Sequence, residues 1–291
     1  MALSAEAFAL VLCGALLHAL WNLQAKRASG GLPFVWLYGL VSLVAAMPLI
    51  ALLLWRDPSQ WPGVSGWSVI AASAAVHVLY GLVLQKGYRA SDFAIVYPLA
   101  RGTGPLFSVL AAVLILGELP GLVGASGIAL LLAGIVLVSG LVPLRARSPA
   151  QRRGLLWGGL TGLCIAIYTL IDAWAVKRIG MSPVLYYCLS LGVRTVLLAP
   201  LAARHAAAVR TQWLAFRGPV LAVGLLSPVA YMLVLTAMVI APLSYVAPLR
   251  ELSMLLGVWL GARVLRETLS PLRLVGTLCM LAGVAALACA R

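Results

Sequence analysis

Residues 117–134 read GELPGLVGASGIALLLAG, and residues 266–283 read RETLSPLRLVGTLCMLAG. At one constant offset Glu118 matches Glu267, Gly127 matches Gly276, and Leu132-Ala133-Gly134 matches Leu281-Ala282-Gly283. Upstream, Pro98-Leu99 matches Pro248-Leu249, Tyr80 matches Tyr231, and Leu82-Val83-Leu84 matches Leu233-Val234-Leu235. Matches kept in one order over this length mark an internal repeat. The hydropathy pattern then sizes the repeating unit. A membrane-spanning helix needs about 20 apolar residues. Runs near that length fall at 5–24, 33–55, 67–86, 93–116, 122–142, 154–176, 182–201, 218–240, 243–264 and 270–290. A unit with an odd number of spans enters the membrane the other way up in its second copy. The expected fold is therefore an all-α integral membrane protein, with ten transmembrane helices as two inverted five-helix repeats, an arrangement used by alternating-access carriers. The repeats are residues 1–142 and 154–291. A basic linker at 143–153 joins them, with Arg145, Arg147, Arg152 and Arg153.

Composition points the same way. Of 291 residues, 63% are hydrophobic and 10% charged, against roughly a quarter charged in a soluble domain. Too few polar side chains exist to cover a water-facing surface. The net charge of +14 would suggest nucleic acid in a soluble protein. Here the basic residues sit mostly between apolar runs, so their expected partner is the lipid bilayer and its headgroups. By side, 4 Lys or Arg lie with the N-terminus and 14 opposite. The positive-inside rule then puts both termini outside the cytoplasm, in a multi-pass protein of the cell inner (plasma) membrane. Trp55, Trp61, Trp67, Trp157, Trp174 and Trp213 fall near predicted span ends, where an aromatic belt belongs. The first run has no basic residue before it and no cleavage pattern after it, so it reads as a retained helix. The five cysteines lie in apolar runs and form no CxxC, so they are expected to be reduced, buried packing residues with no disulfide and no metal. No phosphate loop, GxSxG or HExxH is present. The chain is therefore read as neither driven directly by ATP nor an enzyme, with no cofactor and no nucleic-acid partner.

The paired segments, together with His18-Ala19-Leu20-Trp21-Asn22 and Tyr97-Pro98-Leu99-Ala100-Arg101-Gly102, resemble the two EamA repeats of the drug/metabolite transporter superfamily. The resemblance covers essentially the whole chain. It implies a ten-helix carrier with a central cavity between the halves, often exporting metabolites or amino acids.

Charges inside a span cost about 2.5–3.5 kcal/mol each near its centre, so those present are informative. Arg101 lies eight residues into the fourth run, and Arg250 and Glu251 lie at a similar depth in the ninth. One reading has Arg101 or Arg250 bind a substrate carboxylate or phosphate, while Glu251 binds an amine or carries a proton. The other has Glu251 neutralise an arginine to hold the halves together. Pro98 and Pro248 each free a carbonyl just before these charges, which predicts either a broken helix or a kink. His18 and Asn22 share one helix face, as do His77 and Tyr80, Tyr168 and Asp172, and Ser227 and Tyr231. Such stripes face a bundle interior, where they line a cavity or bond between helices. With Tyr97, these residues complete the candidate substrate-binding set. His18 and Asp172 are also candidate proton sites. Arg194 has no partner that the sequence names. Glu118 and Glu267 are expected to cap the helices that follow them. Gly154, Gly158 and Gly162, and Gly257 and Gly261, recur every four residues, as at a helix seam within the chain or in a homodimer. The expected function is secondary transport of a small-molecule substrate, an amino acid or related zwitterion, coupled to protons or to exchange. The alternatives are a multidrug exporter of lipophilic cations, or a non-transporting membrane enzyme or lipid-handling protein.

Overall fold

The computed structural model describes residues 4–28, 31–91, 93–139, 148–253 and 271–289, and among these every regular element is a helix. In order they are α1 (Ala5–Ala28), α2 (Gly31–Arg56), α3 (Val64–Ala90), α4 (Phe93–Leu114), α5 (Leu122–Ser139), α6 (Pro149–Lys177), α7 (Pro183–Arg204), α8 (Ala206–Ile240), α9 (Leu243–Leu249) and α10 (Pro271–Cys289). Short 3₁₀ turns lie at Pro58–Gln60 and Arg250–Leu252. Six of the helices are long and apolar enough to cross a membrane: α1, α2, α3, α6, α7 and α8. Shorter apolar stretches lie in α4, α5 and α10.

Helix boundaries follow local chemistry. Ser148 caps α6 through a reciprocal box, its hydroxyl accepting from the Gln151 N–H while the Gln151 side chain accepts from the Ser148 N–H. The helix therefore starts at Pro149, inside the basic stretch. The sequence reading left 202–217 as a connection, but α8 already begins at Ala206 and kinks at Phe216 (φ −131°, ψ 29°). Pro219 supplies the cause, since it cannot bond to the carbonyl of Ala215 and its ring crowds that turn. Around the prolines expected to break helices, α4 and α9 differ. The fourth helix runs unbroken from Phe93 to Leu114 through Pro98, Gly104 and Pro105, which removes the broken-helix alternative there. In the ninth, the α-helix gives way to a 3₁₀ turn after Leu249, one residue past Pro248.

Glycines set the closest helix contacts. On α5 a Cβ at Gly127 would stand 3.0 Å from the Gly283 carbonyl of α10, and one at Gly134 would stand 2.7 Å from the Gly276 carbonyl. Gly127 and Gly276 are repeat equivalents, and so are Gly134 and Gly283. Each contact is thus the other with its two sides exchanged, which requires α5 and α10 to run antiparallel. Elsewhere, Gly158 packs on Leu99 and Gly162 on Thr103, so this glycine row serves the internal α4–α6 seam. Gly257 and Gly261 lie outside the described residues.

The turns that follow α2, α4, α6 and α8 gather at one end, the end where α1 begins. Glu118, in the turn after α4, shows this most directly. Its carboxylate accepts the Leu243 and Ser244 N–H groups at 2.8 Å each and the Lys177 ammonium at 3.1 Å. Glu118 therefore caps α9, not the helix that follows it, because α9 brings two unpaired amides to the turn. Glu267 lies outside the described residues. The main core lies at this end too. It takes in Val11 of α1, Ile70 of α3, Leu131 of α5, Leu235 and Met238 of α8, and Leu243 and Leu249 of α9. At the far end a smaller cluster joins only α1, α2 and α8, through Ala28, Phe34, Leu37, Val220 and Val223. The cysteines are all free. Cys164 and Cys188 are buried as expected, but Cys13 and Cys289 are exposed on the outer surface, because each faces away from the core side of its helix.

Candidate functional site

Between the two apolar clusters lies a polar and aromatic set drawn from five helices. Asp172 of α6 is its centre and is 1% exposed. Its Oδ1 accepts the Ser73 hydroxyl at 2.5 Å and the Tyr186 hydroxyl at 2.6 Å, and its Oδ2 accepts the Tyr231 hydroxyl at 2.5 Å. Short bonds of this kind are charge-assisted, and they join α3, α6, α7 and α8 at one carboxylate. A buried carboxylate without such donors would carry an uncompensated desolvation cost. Asp172 lies five residues before Lys177, at the end of its helix. The main core covers it from that end.

One turn along α6, Tyr168 stacks on His77 with ring centroids 3.9 Å apart and planes 25° apart. The Tyr80 ring meets Tyr168 edge-on at 5.9 Å, and the Tyr231 ring meets His77 edge-on at 6.2 Å. The two edge-to-face pairings are a favoured arrangement for ring quadrupoles. His77 Nδ1 lies 2.9 Å from the Ser73 carbonyl, an acceptor only, so Nδ1 carries the proton of this ring in its neutral form. On α7, Tyr187 lies 5.1 Å from Tyr231, and the Arg194 guanidinium sits 5.0 Å above the Tyr187 ring. Tyr38 of α2 completes the set, within electrostatic reach of Tyr187, Tyr80 and Arg194. Tyr38, His77, Tyr80, Arg194 and Tyr231 all keep partial exposure although they stand between the two clusters.

The remaining candidates divide. His18 meets Trp21 edge-on at 4.7 Å on α1. Asn22, Tyr97 and Arg101 stand on α1 and α4, and their side chains lie outside the described part of the structure. Arg250 and Glu251 are 6% and 1% exposed, and their side chains pair with each other, Nε to Oε1, at 3.5 Å. The pair joins sequence neighbours within one 3₁₀ turn. Among the described residues no three His, Cys, Asp or Glu side chains group as metal ligands.

A sequence profile of the EamA-like transporter family matches residues 6–140 and again residues 152–289. The chain belongs to the EamA-like transporter family. A solved crystal structure, titled only as that of a protein, superposes with a TM-score of 0.73 at 17% identity, over 97% of this chain and 96% of the other, and so shares its fold. No curated protein matches the chain. The EamA-like chain is thus a multi-span membrane protein of a transporter family, built on two repeats.

The set around Asp172 also holds residues that the sequence analysis does not select. Ser73, Tyr186, Tyr187 and Tyr38 went unselected, and Arg194 was selected without a partner. Ser73 stands one turn before His77 and Tyr38 one turn before Ser42, so a polar stripe was legible at both. Tyr186 and Tyr187 look like an aromatic belt, being close to the start of their span. Only the fold turns them inward.

Proposed function

We propose that this chain is a secondary carrier that moves a small metabolite, an amino acid or related zwitterion, across the cell inner membrane by alternating access. The observation that carries the reading is the aromatic and polar set around Asp172, placed between an extensive apolar seal at one end and a smaller one at the other. A cavity lined by rings with a few fixed polar groups suits an amphiphilic solute. The reciprocal α5–α10 crossing supports the two five-helix units, 1–142 and 154–291, as inverted copies in a ten-span protein. Partial exposure of Tyr38, His77 and Tyr80, against full burial of Ile70 and Val11, supports a cavity reached from the end opposite the termini. The charge count assigns that end to the cytoplasm. In this reading His77, Tyr80, Tyr168 and Tyr231 line the solute path, with His18, Asn22, Tyr97 and Arg101 on the opposing helices. Arg250 and Glu251 brace the ninth helix beside it. Lipophilic cations fit less well, since both Asp172 oxygens already accept hydroxyl protons and Arg194 stands close by.

Counterflow in proteoliposomes tests this. Purified protein is loaded with a pool of unlabelled amino acids and small zwitterions and offered the labelled pool, with and without a proton gradient. Saturable exchange that falls at least tenfold in Tyr168→Ala is expected. No exchange across the pool, in protein that melts cooperatively, would remove the zwitterion carrier reading.

A further inference from the structure

We infer that Arg194, seated on Tyr187, is the anion-binding end of the solute site, and that the solute class is a carboxylate-bearing molecule. The inference deepens the carrier reading and rests on it for the site's location. A guanidinium offers five N–H donors and has no acceptor capacity. Here Nε donates to the Ser190 carbonyl at a long 3.4 Å, and Nη2 is buried with no hydrogen-bond partner among the described residues. The two buried carboxylates of the region are engaged elsewhere. Asp172 accepts from three hydroxyls, and Glu251 pairs with Arg250. Arg194 connects to Asp172 through side chains, its guanidinium lying over Tyr187, Tyr187 meeting Tyr231, and Tyr231 donating to Asp172.

The cation is therefore held in place by Tyr187, through its ring face and its hydroxyl, and by a carbonyl, with donor capacity left over at Nη2. Leaving a charged donor unsatisfied in a low-dielectric interior is costly, and a planar carboxylate is the acceptor that matches a guanidinium fork. The partly exposed rings of Tyr38, His77 and Tyr80 then meet the apolar body of the solute. Direct capture of an ammonium group by Asp172 is not part of this arrangement, so the carboxylate is the group the site demands.

The test reads binding without flux. Full-length protein in nanodiscs is melted across a titration of phenylacetate, and separately of its uncharged isostere phenylacetamide. The wild type is expected to bind the carboxylate at least tenfold more tightly than the amide. That preference should vanish in Arg194→Gln and drop several-fold in Arg194→Lys, which keeps the charge but loses the fork. A wild type that fails to discriminate, or an Arg194→Lys protein with the full preference, overturns the assignment. The same holds for a folded Arg194→Gln protein with undiminished preference. Carboxylate binding without counterflow would sink the carrier reading alone. Counterflow indifferent to both Arg194 variants would sink this one alone.

Discussion

Two residues that bond to the same carboxylate are expected to behave differently when their hydroxyls are removed. Tyr186 is 1% exposed and wedged in the main core. Tyr231 is partly exposed and meets both His77 and Tyr187. A hydrogen bond to a charged acceptor contributes roughly 1.5–3 kcal/mol. Tyr186→Phe should lower stability by about 2 kcal/mol, read from denaturation of the purified protein, while flux per folded molecule stays near wild type. Tyr231→Phe should lose flux even where its melting temperature is restored by added lipid. Equal flux defects in the two variants would show that Asp172 matters only as a structural hub. Sequence reading reached Tyr168, Asp172 and Tyr231 because a polar stripe on an apolar helix is legible in one dimension. It missed that three hydroxyls from three other helices converge on Asp172, since their spacing along the chain carries no periodicity.

At the scale of elements, Glu118 joins the α4–α5 turn to the end of α6 and the start of α9. Burial acts to raise its carboxyl. The Ser244 and Leu243 N–H groups and the Lys177 charge outweigh that and hold it below the usual carboxylate range. A depressed folded value means the contribution is complete above the unfolded value of about 4.3 and is lost as pH falls through the folded one. Glu118→Gln should therefore cost roughly 2 kcal/mol at pH 7. Wild type and variant melting temperatures should converge on acidification below pH 4, and a constant gap down to pH 3 would exclude the charged latch. Small residues make the complementary case. Gly134→Ala would push a Cβ to 2.7 Å from the Gly276 carbonyl and 2.8 Å from the Met280 nitrogen. Backbone cannot yield as a flexible side chain can, so a loss of about 2 kcal/mol is expected. Gly81→Ala meets nothing within 4 Å and should be neutral or stabilising in the same melting assay.

Across the whole molecule, the two repeats carry matched positions with unmatched chemistry. At the offset of 150 that relates Pro98 to Pro248, His18 corresponds to Tyr168 and Asn22 to Asp172. Only the second copy supplies the carboxylate, so the site is built on a symmetric frame but is itself asymmetric. The uneven seals at the two ends set an accessibility pattern. In a background with the five native cysteines replaced, Tyr80→Cys should react with a membrane-impermeant maleimide added from the side opposite the termini. Val11→Cys and Met238→Cys, both in the main core, should stay protected. Labelling of Val11→Cys from the terminal side at rest would mean that the seal there opens in the ground state.

The sequence by itself determined the class of this protein, because lipid tolerates an apolar surface that water does not. It also marked the polar stripes, since each lies on one helix and follows that helix's period. Tertiary structure alone decided which of those stripes meet. It turned Tyr186 and Tyr187 inward, sent Glu118 to the start of α9 rather than α5, paired Glu251 with Arg250, and left Arg194 on a tyrosine face. The burial of Tyr186 and the reach of Glu118 depend on contacts between helices far apart in the chain, whose relative rotation no single helix period encodes, whereas Arg194 meets Tyr187 along one helix and Arg250 and Glu251 are neighbours.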